Sequence, residues 1–428
     1  MDTFQHYSEL VGKKLLLLGG HALMRHFVTK AQEMGVYTIV TDYVKNSPAK
    51  LIADEAYDVS TLDVDKLVQL AQDLHVDGVT TGYVDINLIP CCQICERLGL
   101  PFYATSDQID KTINKRKFKE LFHKHGIPVP DDIPLDLYTN HPEKVHYPII
   151  VKPADNYSSK GISVCFGKED LPAAIDKAYA FSRCKEIVVE TFITYGDDAL
   201  PYLTVQNGIL SLSGMADRIL NSEQKGFAPQ PVGYFYPSKY IDAYYEQIHD
   251  KLQNMVTDIG LKNGSFILQG FAVNNKLCFF EMALRLSGGA GYVQIRHQNK
   301  IDQVAMHIRY ALTGKFDGWD ILKDDNPRFE KPACSLVILL RNGTIASIEG
   351  IDEIKKNTHI VDIVDFKNVN DTIQDAGTLN QVYARMYLCA DTTELLKNDI
   401  RYIKNTLRIT DTNGNNMILN LFDENKVY

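Results

Sequence analysis

The chain is predicted to open as a parallel α/β domain and to continue as mixed α/β and α+β structure. Two observations carry this. Lys14–Gly20 (KLLLLGG), Tyr37–Thr41 and Gly78–Gly82 (GVTTG) are short strands, the first continuously apolar, separated by helical stretches over about 22–34 and 63–74. Strands and helices alternating at this length imply a parallel sheet with helices on both faces. Beyond residue 147 the punctuation changes to hairpin turns, with Asn207-Gly208, Asn274-Asn275, Arg341-Asn-Gly343 and Thr412-Asn-Gly414 between apolar runs. A length of 428 residues suggests two to four domains.

The remaining elements follow in order. Residues 53–59 read as a connection, 86–98 as a helix and 100–103 as a short strand. A basic helix over about 107–125 carries Lys111, Lys115, Arg116, Lys117, Lys119 and Lys124, and Gly126-Ile-Pro-Val-Pro130 ends it. A hairpin over 147–166 precedes a helix (171–181), a strand (186–190) and a hairpin (205–215). Then come a helix (241–258), two strands (265–273 and 276–281), a glycine-rich loop (Arg285–Gly291), a helix (302–312) and a smaller α/β unit with a helix near 393–405.

Composition excludes some classes. Net charge is −9, which disfavours nonspecific binding to nucleic acid or anionic membrane. The opening MDTFQHYSELVGKK has no apolar signal region and no run reaches the length of a membrane span, so a cytoplasmic protein is expected. The eight cysteines are scattered, and Cys92-Gln-Ile-Cys95 has no second pair nearby to complete a zinc site. Reduced thiols are therefore expected.

The chemistry concentrates in Tyr147–Val164. A buried strand ends in Lys152-Pro153, and a small-residue loop from Asp155 to Gly161 follows, with Ser158 and Ser159. An ammonium on a rigid strand beside a loop rich in donors suits a polyphosphate. No G-x-x-x-x-G-K-[ST] is present, so the loop is not a Walker A loop. Gly19-Gly20 and Asp42 mimic a dinucleotide fingerprint, but the full G-x-G-x-x-G is missing, which argues against a nicotinamide oxidoreductase. Thr80, Thr81, Gly82 and Asp85 lie at a strand end where open sheets place ligands.

Further motifs extend this pattern: Asn114-Lys115-Arg-Lys-Phe-Lys119 with Gly126-Ile-Pro-Val-Pro130, Val188-Val-Glu190-Thr-Phe-Ile193, Gly196-Asp-Asp198, and Glu281-Met-Ala283-Leu-Arg285. In this order they resemble the ATP-grasp superfamily, especially its carboxylate–amine ligases and its carbamoyl-phosphate-synthase-like and biotin-carboxylase-like members. The resemblance implies a Rossmann-like pre-ATP-grasp domain (1–112), an ATP-grasp core (113–328) with a mobile lid (about 125–187), and a small C-terminal α/β domain (329–428). It places Lys115 and Lys152 on the nucleotide phosphates and Ser158, Ser159 and Gly161 in the covering loop. Glu190 and Ile193 fall on the adenine hinge and Asp198 on the ribose. Glu281 and Gln269 fall on the metal-binding positions, with Gln269 where the family has an acid and Ala283 where it has asparagine. Arg285, with Lys152, would stabilise the transferring phosphoryl group.

The resemblance implies an ATP- and Mg²⁺-dependent ligase (Mn²⁺ able to substitute). It would join a small-molecule carboxylate to an amine through an acyl phosphate and release ADP and phosphate. No nucleic-acid or membrane partner is implied, and a homodimer is. Gln269 and Ala283 also admit an ATP-binding homologue with weakened or lost catalysis. Asp217, Arg218, Gln224, Lys225 and Tyr234–Tyr236 are candidates to line the acceptor pocket, with Arg296 and His297 beyond the glycine loop.

Overall fold

The computed structural model describes residues 7–155, 160–193, 196–221, 230–374, 378–419 and 422–428. The leading domain is a four-stranded parallel sheet in the order β3-β2-β1-β4. Its strands are β1 (Lys14–Leu18), β2 (Tyr37–Thr41), β3 (Glu55–Tyr57) and β4 (Gly78–Thr81), and its helices α1 (Arg25–Glu33), α2 (Val64–Leu74) and α3 (Leu88–Leu98). Successive residues of a strand face opposite sides. Leu15 and Leu17 accordingly join Phe27 and Val28 of α1, while Leu16 and Leu18 join Leu67 of α2 and Cys91, Ile94 and Cys95 of α3. Each buried leucine contributes about 1.5–3 kcal/mol, which is why KLLLL shows no polar alternation. Cys91 and Cys95 are core residues. All eight cysteines are free, and the described residues hold no cluster of three or more His, Cys, Asp or Glu arranged for a metal ion.

Next come α4 (Ser106–Ile113), α5 (Lys115–Lys124), α6 (Leu135–Asn140) and a three-stranded lid sheet ordered β6-β5-β7. The lid contains β5 (Ile149–Pro153), β6 (Ser163–Cys165), α7 (Leu171–Phe181) and β7 (Ile187–Thr191), and has its own small core of Ile149, Val151, Leu171, Ala174, Ala178 and Val189. The core then supplies β8 (Asp197–Gln206), β9 (Ile209–Asn221), β10 (Gln230–Tyr236), α8 (Ile241–Gln247), α9 (His249–Asp258), β11 (Gly264–Val273) and β12 (Lys276–Ala283). It continues through α10 (Tyr292–Asn299), α11 (Gln303–Thr313) and α12 (Ile321–Asp324). The trailing segment holds β13 (Ala333–Leu339), β14 (Gly343–Glu349), α13 (Ile351–Ile354), β15 (Ile360–Asp365), β16 (Thr372–Ile373), β17 (Val382–Cys389), α14 (Thr393–Thr406) and β18 (Arg408–Asp411).

An eight-stranded sheet in the order β12-β11-β8-β9-β10-β13-β17-β15 runs from the core into the trailing segment, joined where Tyr234 of β10 pairs with Ser335 of β13. The Asn207-Gly208 and Asn274-Asn275 turns close hairpins with positive φ at all four residues, as two-residue turns with the strand twist require.

Several expected elements differ. Residues 53–59 contain a strand, β3, which adds in parallel to β2. Residues 100–103 form no strand, because helix caps use this stretch. Leu100 N–H donates to Cys95 O behind Gly99 (φ +67°), and Thr105 begins α4 with a capping box to Gln108. The basic helix breaks at Asn114, whose side chain accepts from the N–H groups of Arg116 and Lys117 and starts α5. The helix over 241–258 breaks at Ile248. The Arg341-Asn-Gly343 turn joins two sheets: β13 lies in the large one, whereas β14 pairs with β16 and β18.

Helix α11 returns from the core to pack on β4. A Cβ at Gly78 would lie 2.4 Å from Ala311 O, so Gly78→Val must push the helix off the sheet. We expect a loss of about 1–3 kcal/mol, read as a lowered unfolding midpoint in urea. An unchanged midpoint would show that α11 is free to shift.

Candidate active site

The lid presents its charged groups toward the core. On β5, Lys152 lies opposite Val188 of β7, so Glu190, two residues on, stands diagonally across from it. Lys152 Nζ donates to Glu190 Oε1, and Lys119 Nζ of α5 donates to Glu190 Oε2 (3.1 Å), to Pro130 O (2.7 Å) and to Asp132. Lys119, Lys152 and Glu190 are all buried. Burial raises the Glu190 pKa, but Lys152 and Lys119 outweigh it and hold the carboxyl below its ordinary 4.5.

A depressed carboxyl pKa stabilises the fold above the unfolded-state value and loses that contribution as pH falls through the folded one. The stability difference between wild type and Glu190→Gln should therefore be fully present at neutral pH. It should shrink progressively below about 4.5, the unfolded-state value, in thermal melts across pH. A difference independent of pH would exclude a charged Glu190.

Lys115 opens α5, and its backbone N–H donates to Ala154 O (2.9 Å), just past Lys152-Pro153. Burial lowers the pKa of its ammonium, Glu281, Asp85 and Glu190 raise it, and Lys152 lowers it. These five charges thus share one neighbourhood. A cavity beside them is lined by Asp85, Thr112, Ile113, Lys115, Phe118, Glu281 and Met282.

Glu281 of β12 lies directly opposite Gln269 of β11. The register shifts after Gln269, which brings Phe280 beside Glu281. The Phe280 ring lies 4.9 Å from that of Phe271, and Lys152 Nζ is 5.3 Å from its centroid. These two half-buried rings form an apolar floor under the lid. The sequence reading missed them because phenylalanine in a strand reads as core. The signal was available: Phe271 is two residues from Gln269 and so shares its face.

Asp198, the ribose candidate, is held in an ion pair. It is 5% exposed, and both its oxygens accept from Nη2 of Arg218 (2.9 and 2.8 Å). Arg218 Nη1 donates to Gln269 Oε1 (2.8 Å), so the Gln269 carbonyl is already engaged. Glu281 is the acid that fits a hard cation here, since Mg²⁺ is commonly held by one carboxylate, substrate phosphates and water. Gln269 does not fit as a second ligand.

Arg285 forms a bidentate pair with Asp85 (Nε to Oδ1 2.7 Å, Nη2 to Oδ2 2.6 Å) and donates from Nη1 to Leu286 O (2.9 Å). It therefore joins the end of the core sheet to the leading domain. Around this pair lie Gly288, whose added Cβ would meet only Tyr83 O at 3.8 Å, and His21, which follows β1. Burial pushes the His21 pKa down to about 4, against Asp42 and aided by Arg385 and Arg285. Arg385 of β17 is buried and its guanidinium carbon sits 5.3 Å from the Phe366 centroid. Nothing in the sequence marks Arg385, since it lies a hundred residues past the last motif. Gly291 has a packing role, because a Cβ there would lie 2.3 Å from the Tyr202 ring.

Of the other candidates, Ser158, Ser159, Gln224 and Lys225 lie outside the described residues. Gly161 packs between Phe181 and Pro153 with φ +79°, where a side chain would collide. Ile193 is half-buried just past β7. Asp217 accepts from Ser238 Oγ, and burial raises its pKa to about 6. Tyr234 and Tyr236 are buried, whereas His297 is exposed on α10.

This fold has relatives. Residues 12–107 match the family described as ribonucleotide synthetase preATP-grasp domain, and residues 113–258 match D-ala D-ala ligase C-terminus. The chain is similar to the formate-dependent phosphoribosylglycinamide formyltransferase of Francisella tularensis subsp. tularensis (strain SCHU S4), at 27% identity over 79% of this chain and 85% of that one. Among solved structures it shares its fold with the L-amino acid ligase from Bacillus licheniformis (TM-score 0.77, 17% identity, 94% of this chain and 99% of the other). The phosphoribosylglycinamide synthetase from Anaerococcus prevotii aligns with a TM-score of 0.73 at 20% identity, over 94% of this chain and 100% of that one. The chain belongs to the ATP-grasp superfamily.

Proposed function

We propose that the chain is an ATP-dependent ligase forming C–N bonds by activating a carboxylate as an acyl phosphate. The carrying observation is the convergence of Lys115, Lys152, Glu190 and Glu281 between the lid and the Phe271–Phe280 floor. In this reading adenine lies against the rings, and the two lysines take the phosphates. Transfer of the γ-phosphoryl group brings two anions together. At 4 Å a unit-charge pair is worth about 4 kcal/mol at an effective dielectric of 20, so Lys115, Lys152 and Arg285 each matter. A Mg²⁺ or Mn²⁺ ion on Glu281 would add charge neutralisation at the phosphates. The lid excludes water from an intermediate that water would hydrolyse. An amine, or a related nucleophile, then displaces phosphate.

The acid is taken to lie at the leading domain's carboxyl edge, near Asp85, Arg285, His21 and Arg385. The activities for which its relatives are named offer formate with phosphoribosylglycinamide, or amino acids, as substrates to try first. Cytoplasmic location and a homodimer belong to the same reading. The biotin carboxylase domain of Hydrogenobacter thermophilus 2-oxoglutarate carboxylase is described as a dimer. Among the described residues no helix is long and apolar enough to cross a membrane.

A second reading, an ATP-binding homologue with weakened or lost catalysis, is favoured by one observation: Gln269 is neutral and bonded to Arg218. A panel of small carboxylates with amines, assayed with Mg²⁺ and ATP, separates the two. Substrate-dependent release of ADP and phosphate supports the ligase. Tight ATP binding with no ADP across the panel supports the homologue.

A further inference from the structure

We propose that Arg218 stands in for a second metal ion, so that the nucleotide site holds one divalent cation, carried by Glu281. This rests on the nucleotide reading above. Arg218 lies on β9 opposite Asp198 of β8, and its guanidinium bridges Asp198 to Gln269 of β11, the residue directly across from Glu281. It therefore occupies the flank of the site where the pairing of Gln269 with Glu281 would otherwise hold an ion between two strands.

Further observations agree. Arg218 Nε is buried without a hydrogen-bond partner among the described residues, and a buried N–H left unmade is costly unless an incoming group accepts it. Glu281 is near enough for its charge to act on the guanidinium. The neutral Gln269 suits a place next to a permanent cation. A divalent ion on the Gln269 carbonyl would sit against that cation and be repelled, while a guanidinium offers fixed charge and fork geometry to phosphate oxygens. Asp198, held by Arg218 on both oxygens, positions the guanidinium. Ala283 has no side-chain oxygen, so its side chain supplies no ligand for a second ion.

The test counts Mn²⁺ ions by electron paramagnetic resonance in protein saturated with a non-hydrolysable ATP analogue. Expected are one ion per bound nucleotide in wild type and one in Gln269→Glu, where the new carboxylate pairs with Arg218. Two are expected in Gln269→Glu/Arg218→Met/Asp198→Asn. Two ions in wild type, a second ion in Gln269→Glu with Arg218 intact, or one ion in the triple variant would overturn the proposal. Gln269→Glu is nearly isosteric, so the test stands even if the triple variant does not fold. Failure of the analogue to bind at all would instead remove the nucleotide reading.

Discussion

Lys152→Ala is expected to weaken ATP binding about thirty-fold or more, measured by calorimetry with Mg²⁺. Truncating one member of a buried, hydrogen-bonded charge pair costs about 2–5 kcal/mol, and 2 kcal/mol is about thirty-fold in affinity. Lys152 sits at the end of a strand whose buried side chains, Ile149 and Val151, fix its direction. Its ammonium faces the Glu190 carboxylate, so phosphates must share it with Glu190 or draw it away. The substitution also removes one of the two lysines on Glu190, so some stability is lost along with affinity. Lys152→Met/Glu190→Gln separates these effects: stability should recover and affinity should not. Full affinity in Lys152→Ala would remove the lysine from the phosphate clamp.

Arg285→Ala should lower kcat by about a thousand-fold or more, the range seen when an arginine that neutralises a transferring phosphoryl group is removed. It should also cost about 3–5 kcal/mol of stability, because Asp85 is left buried without its partner. The double variant Arg285→Ala/Asp85→Ala distinguishes chemistry from scaffolding. Removing both charges should restore much of the stability and none of the turnover. If turnover returned with stability, Arg285 would be a strut between the leading domain and the core.

The parts of the site that were legible lay in short contiguous runs. Lys115 at a helix start, Lys152 before a proline, Glu190 at a strand end and Glu281 four residues before Arg285 each sit in a local pattern, and the structure brings these five together with Asp85. What was not legible depends on strand register. The partner of Asp198, the ribose candidate, is one such case: Arg218, twenty residues away, pairs with it only once β8 and β9 align. The Arg285–Asp85 pair spans two hundred residues. Arg385 arrives by way of β17, which joins the core sheet only through β13. In the fold, β3 was missed because three residues of alternating polarity carry little signal. Residues 100–103 were read as a strand because a Schellman closure and a capping box leave an apolar stretch between them.

The most direct test of the account is the structure of the protein with a non-hydrolysable ATP analogue and Mg²⁺. Adenine is expected against Phe271 and Phe280, phosphate oxygens within hydrogen-bond distance of Lys115 and Lys152, and a cation on Glu281. A nucleotide bound instead at the Gly19-Gly20 turn of the leading domain, with both lysines still held by protein groups, would contradict it.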